Sequence, residues 1–324
     1  MFVIDWLERW QIPLYLIALG AGAVIGLTVP ATAAAFEVAI NPVLMALLYA
    51  TFLSVPLTKL GHALRDARFL AGLLVLNFLI VPVVVYVLSR LVADDQALLL
   101  GVLLVLLTPC IDYVIVFSGL ARAAHDRLLA AAPLLMLLQM LLLPVYLGMF
   151  VGPELFEVID LAPFIEAFLL LIVTPLAVAA LTQFLAARFR PAQQVMDLME
   201  ALMVPLLMLT LTVVVASQID AVRIDLPSLL RVIPIYIIFL VVMVPLGIFI
   251  GRVFYQDAFA TRATVFSGAT RNSLVVLPLA LALPDSLTLV AVVVVTQTLV
   301  ELVGMVVYVR LIPRVVLEKA GQYN

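Results

Sequence analysis

The sequence predicts an all-α polytopic membrane protein: ten transmembrane helices forming two inverted five-helix repeats, with broken fourth and ninth helices crossing near the midplane. Three observations predict it. Hydrophobic residues make up 66% of the 324-residue chain and charged ones 11%, against about 45–50% and about 25% in soluble domains. The apolar chain falls into ten stretches near the ~20 residues a helix needs to cross a bilayer. The fourth and ninth stretches carry polar and charged residues at their centres.

Charge clusters separate the spans, at 11–29, 40–58, 69–91, 97–121, 127–149, 162–186, 195–216, 231–251, 258–283 and 286–310. The first ends near "PATAAAF" and mimics a signal peptide. The preceding "MFVIDWLERWQ" is not net positive, and the apolar run is long for such a signal, so a retained span is expected. With the N-terminus inside, thirteen of the seventeen basic residues fall in cytoplasmic segments, and only Arg90, Arg223 and Arg231 in outer loops. This asymmetry predicts a multi-pass chain with both termini cytoplasmic. The single cysteine excludes an internal disulfide and a multi-thiolate metal cluster. His62 and His125 lie in basic loop segments, so no metal site and no cofactor are expected. Intramembrane aspartyl chemistry needs two aspartates, and only Asp112 lies well inside a span, so no enzyme activity is expected.

The loop at 150–161 divides the chain into repeat one (11–149) and repeat two (162–310). Five spans per half force opposite orientations, an architecture that recurs in transporters. The fourth span is interrupted at "TPCIDY" (108–113) and the ninth at "FSGATRNS" (266–273). Pro109 lacks an N–H and pushes Thr108 out of the α region. Gly268 is the expected break in the other half. Broken helices leave unpaired backbone groups, which must be buried in protein or line a wet cavity. Their ends also carry partial charges. Two breaks crossing near the midplane would make a compact polar site.

Asp112 is placed to cap the second half-helix. Laying Thr108 on Ser267 sets Asp112 on Arg271, and the two are expected to pair, because either charge alone is costly in a membrane. The pair reads as a structural clasp or as a switch. Cys110 reads as a small hydrophobe or as a soft ligand. Thr108, Ser267, Asn272 and Ser273 are candidate substrate-lining groups. Glu301, with Gln297 one turn before it on the same face, reads as a proton carrier or as a satisfied carboxylate. Gln139 is its expected counterpart in the first half.

These residues resemble the bile-acid/sodium symporter superfamily, and within it the arsenite efflux permeases of the arsenical-resistance family. The resemblance rests on "TPCIDYVIVFSGLARAAHDR", "FSGATRNS" and "TLVELVGMVVY", with "VPLTKLG" ending span two. It implies a single transport domain over 1–324, with core helices in 69–149 and 231–310 and panel helices in 11–58 and 162–216. The substrate would be carried by a rocking movement between core and panel. It further implies proton-coupled arsenite efflux across the plasma (cell inner) membrane, with Cys110 at the place of an essential cysteine. Glu301 matches a family glutamate. Leu274 stands where the permeases carry an acidic residue, and Arg271 and Asn272 replace paired asparagines. The alternative is a small organic anion bound by Arg271. Expected partners are membrane lipid, a small inorganic or anionic substrate and the proton, with no nucleic acid; the oligomeric state is open.

Overall fold

A computed structural model describes residues 6–7, 10–54, 66–110, 113–152, 166, 169–224 and 226–317. Among the described residues the regular structure is helical, with no strand. In chain order the helices are α1 (Gln11–Thr28), α2 (Ala33–Ser54), α3 (Ala67–Val92), α4 (Gln96–Leu106), α5 (Tyr113–Leu120) and α6 (His125–Val151). They continue as α7 (Thr174–Ala186), α8 (Arg190–Ile224), α9 (Leu226–Val253), α10 (Ala258–Ala269), α11 (Ser273–Leu281) and α12 (Leu289–Val315). Six described helices are long and apolar enough to cross a membrane. The predicted fourth span is two helices, α4 and α5, and the ninth is α10 and α11. Most of the loop expected to divide the repeats, and "VPLTKLG", lie outside the described residues.

Apolar stripes run along the exposed faces. Leu79, Val83 and Val87 on α3 are 63%, 64% and 62% exposed, and Leu141, Val145 and Met149 on α6 are also exposed. A helix in water keeps its polar face outward. These faces are apolar, as contact with lipid requires.

The chain divides into two compact units. The first comprises Met1–Val55, Asp160–Leu226 and Leu277–Pro284. Within it α8 packs along α1 and α2, and α7 packs on α2. Small residues permit the approach: a Cβ on Gly26 would sit 2.4 Å from Ile219 Cγ2 and 2.5 Å from the Ala216 carbonyl oxygen. Interhelical hydrogen bonds add to packing where the hydrophobic effect between helices is absent. The Thr212 hydroxyl donates to the Ala18 carbonyl at 3.2 Å, Tyr49 meets Thr182 at 2.9 Å, and Gln183 Nε2 donates to the Phe52 and Leu53 carbonyls.

The second unit comprises Pro56–Ile159, Pro227–Val276 and Asp285–Asn324. α12 packs on α4, and tyrosine hydroxyls tie helices to carbonyls: Tyr146 to Phe78, and Tyr236 to Val293. A π-turn at Leu76–Ile80 interrupts α3 just before Pro82, so the proline follows a local widening of the helix. At one end Arg127 joins two helix caps, reaching Asp66 at 3.1 Å and Asp257 at 2.9 Å. Elsewhere Arg231 donates to Asp94 at 2.5 Å, and this hydrogen bond holds the Asp94 carboxyl below its ordinary 3.8. What that pair stabilises is present above the ordinary value and is lost as pH falls through the lowered one.

At Gly26 the α8 backbone comes so close that a Cβ would meet the Ala216 carbonyl oxygen at 2.5 Å. Gly26→Leu is expected to cost about 1–3 kcal/mol by overpacking. It should lower the Tm of the detergent-solubilised protein; an unchanged Tm would contradict the packing described.

Candidate functional site

α4 begins at Asp95, whose carboxylate accepts from the Ala97 and Leu98 N–H groups at 3.0 and 3.1 Å. It stops at Leu106, ahead of Pro109, and the Thr108 hydroxyl turns back onto the Leu104 and Val105 carbonyls, both at 2.9 Å. α10 is built in the same way. The Asp257 carboxylate accepts from the Ala260 N–H at 2.7 Å, and the Thr270 hydroxyl donates to the Phe266 carbonyl at 2.8 Å. The chain then leaves the helix at Thr270, which is extended (φ −85°, ψ 135°).

The two breaks meet in an antiparallel β-bridge between Pro109 and Arg271. The Cys110 N–H donates to the Thr270 carbonyl at 3.2 Å, and the Asn272 N–H to the Thr108 carbonyl at 2.8 Å. Each break thus satisfies backbone groups that the other frees, and Thr108, Cys110, Thr270 and Asn272 are all buried. Asp95 stands to Pro109 in sequence as Asp257 stands to Arg271, and Pro109 to Gln139 as Arg271 to Glu301.

The bridge sets Pro109 opposite Arg271. One expectation is corrected here. Gly268 does not break its helix; it lies in the last turn of α10, and the break is at Thr270 to Asn272. The ends of two long side chains close over it: a Cβ would sit 2.6 Å from Leu76 Cδ2 and 2.9 Å from Met243 Cε. Asp112, and with it the expected Asp112–Arg271 pair, lies outside the described residues.

Arg271 is fully buried. Its Nη2 donates to Asn77 Oδ1 at 2.9 Å and to the Ser267 and Gly268 carbonyls at 2.7 Å each, and Nη1 reaches the Leu106 carbonyl at 3.4 Å. The guanidinium also lies 5.4 Å from the Phe239 ring centroid. Three of these acceptors are carbonyls of the last turns of α4 and α10, the negative ends of both helices. Asn77 is in turn fixed by donating to the Leu73 carbonyl and to Ser267 Oγ at 3.0 Å.

Glu301 is buried on α12. Its Oε2 accepts from the Arg271 backbone N–H at 2.8 Å and from Gln297 Nε2, one turn earlier. Asn272 caps α11, its Oδ1 accepting from the Val275 N–H at 3.1 Å. Ser273 Oγ accepts from the Thr298 hydroxyl at 2.7 Å, tying α11 to α12. Asn272 Nδ2, Gln297 Oε1 and Gln139 Oε1 are buried and find no partner among the described residues. Cys110 is 1% exposed. The crossing therefore gathers Thr108, Pro109, Cys110, Ser267, Gly268, Arg271 and Asn272, and hydrogen bonds extend it to Ser273, Gln297 and Glu301. Among the described residues no hydrogen bond ties Gln139 to this group.

Asn77, Phe239, Thr270 and Thr298 escaped the sequence reading. Asn77 carried a signal: it is the amide inside the apolar run "LLVLNFLI", and such a group in a membrane calls for a partner. Among the described residues no three His, Cys, Asp or Glu side chains are placed to hold a metal ion.

Lipid-facing helices around a buried polar crossing define a multi-pass membrane protein. The model of the Sodium Bile acid symporter family matches residues 41–225. The chain belongs to that family, and so to the membrane transporters. Among curated proteins no sequence match is found.

Asn77→Ala removes one guanidinium acceptor and the donor to Ser267. It is expected to cost about 1–3 kcal/mol, the range for leaving a buried polar group unsatisfied. Thermal unfolding in detergent reads this as a lowered Tm, and a Tm equal to wild type would contradict the role assigned to Asn77.

Proposed function

We propose that this chain is a proton-coupled exporter of arsenite, a trivalent metalloid, in the plasma (cell inner) membrane. In this reading it has ten spans in two inverted repeats, 11–149 and 162–310, and both termini are cytoplasmic. The like construction of α4 and α10, joined break to break, supports the repeat. The observation that carries the substrate is the position of Cys110, the only thiol in the chain, in the bridge between the two breaks.

Trivalent arsenic is a soft centre, and sulfur is the soft ligand among side chains. The thiol sulfur displaces one hydroxyl of arsenous acid, and its proton leaves with that hydroxyl as water. The reverse step, hydrolysis, releases the cargo. A single sulfur gives weak and exchangeable ligation, which suits a carrier. Asn272 Nδ2, buried on the facing segment, supplies a donor for a remaining arsenic-bound oxygen.

Glu301 is the carboxylate through which a proton would act. It accepts from the Arg271 backbone N–H in the break itself. Protonation withdraws negative charge from that contact, so proton binding and the geometry of the crossing are coupled. The alternative, a small organic anion bound by Arg271, is less well supported. Protein oxygens already engage the guanidinium on both terminal nitrogens.

Arsenic-sensitive cells expressing wild type should accumulate less arsenic than cells expressing Cys110→Ala at matched membrane levels. Wild type that leaves cellular arsenic unchanged would contradict the arsenite reading. In everted vesicles, Glu301→Gln keeps an acceptor for the Arg271 N–H but cannot take up the proton. It should lose arsenite uptake driven by a pH gradient while retaining arsenite exchange; retention of the pH-driven component would remove Glu301 from the coupling step.

A further inference from the structure

Away from the crossing, α3 and α6 run side by side and end together. Asp66, just before α3, meets Arg127 in the first turn of α6, and at the other end Arg90 in the last turn of α3 meets Phe150. Near that second end aromatic rings close the seam. The Tyr86 and Phe150 ring centroids are 5.2 Å apart, Phe150 stacks on Tyr146 at 6.0 Å, and the Tyr146 hydroxyl donates to the Phe78 carbonyl. The surfaces beside the seam are exposed and apolar. On α3, Leu79, Val83, Tyr86 and Arg90 follow one another at helical spacing and share a face. On α6, Leu141, Val145 and Met149 form a second exposed stripe next to Tyr146 and Phe150. From Leu79 to Arg90 a helix advances about 16 Å. That is roughly the depth of one leaflet of the ~30 Å hydrocarbon core.

Arg90 is exposed, yet its guanidinium is held in place. Nη2 donates to the Phe150 carbonyl at 3.2 Å, and the guanidinium carbon lies 4.8 Å from the Tyr86 ring centroid. The remaining edge of the planar fork is left for an anion, and its geometry matches the oxygens of a phosphate. The acidic side chains nearest in sequence are engaged elsewhere. Asp94 pairs with Arg231 at 2.5 Å, and Asp95 caps α4. Among the described residues no carboxylate meets Arg90. An uncompensated cation thus stands at the head of an apolar strip one leaflet long, beside a tyrosine, the side chain that favours the headgroup level. Those two features are the two ends of a phospholipid.

We propose that the α3–α6 seam binds one anionic phospholipid. Its phosphodiester takes the Arg90 guanidinium, and an acyl chain lies along Leu79 and Val83, with the α6 stripe beside it. One guanidinium balances the single negative charge of the phosphodiester. A zwitterionic headgroup would bring a second cation next to Arg90, which like charges oppose. The bound lipid would tie the ends of the two helices together.

The test is native mass spectrometry of the purified full chain, offered equal amounts of phosphatidylglycerol and phosphatidylcholine with the same acyl chains. Wild type should retain one phosphatidylglycerol saturably, with about a tenfold preference, the order of a charge-assisted hydrogen bond. Arg90→Gln keeps a donor for the Phe150 carbonyl but loses the charge, and should abolish the preference. Arg188→Gln removes another exposed arginine that lies over an aromatic ring, Phe184 at 5.4 Å, and should leave the preference intact. Glycerol phosphate, which lacks acyl chains, should not displace the lipid. Wild type without a preference overturns the proposal, and this readout needs no variant. Equal loss in Arg188→Gln overturns it too, as does displacement by glycerol phosphate. So does a second copy of the chain, bound in place of lipid and released by Arg90→Gln. Arsenite is absent throughout, so failure here is separate from failure of the arsenite reading.

Discussion

Backbone amides in an apolar interior must find partners, and the second unit of this chain is organised around that constraint. Two helices stop short, α4 at Leu106 and α10 at Ala269. Each leaves carbonyls and N–H groups that lipid cannot satisfy. The structure pairs the two interruptions with each other, through the Cys110 N–H to Thr270 and the Asn272 N–H to Thr108. The threonines at both helix ends turn their hydroxyls back onto carbonyls of their own helices. An irregular segment alone would be costly in an apolar interior. Two of them, antiparallel, become a small piece of regular structure.

The electrostatics follow from the same arrangement. Joining two breaks brings two helix C-termini toward one point, and a positive charge must answer them. Arg271 supplies it from within the break. Its side chain reaches the carbonyls of both helices while its backbone N–H is held by Glu301. Cation and carboxylate therefore act on one residue from two directions, by side chain and by main chain. A change in the charge of Glu301 is felt at the bridge without passing through any intervening group. Asn77, in a π-turn of α3, links this centre to a third element. A π-turn often marks a functional position within a helix.

Much of this was legible in the sequence, for local reasons. Pro109 cannot continue a helix whatever surrounds it, so the break after α4 was readable. Glu301 and Gln297 are four residues apart, and helical geometry alone makes them neighbours. The second break was misplaced because its cause is not local. Gly268 looks like a helix breaker, but it sits within α10, with the ends of Leu76 and Met243 packed over it. The break at Thr270 to Asn272 is set by Thr108, Cys110 and Glu301, residues distant in sequence. Asn77 was passed over because a lone amide in an apolar run shows that a partner is needed without showing which one.

Under the proposed function, Cys110 stands at the place where cargo binds. It is the only cysteine in the chain, so a single maleimide adduct reports on it without ambiguity. The direct measurement is its alkylation rate in membranes, read by intact-protein mass spectrometry, with and without arsenite. The thiol is buried in this conformation, so labelling should be slow, and arsenite should slow it further in a saturable way. An alkylation rate indifferent to arsenite would contradict the central claim.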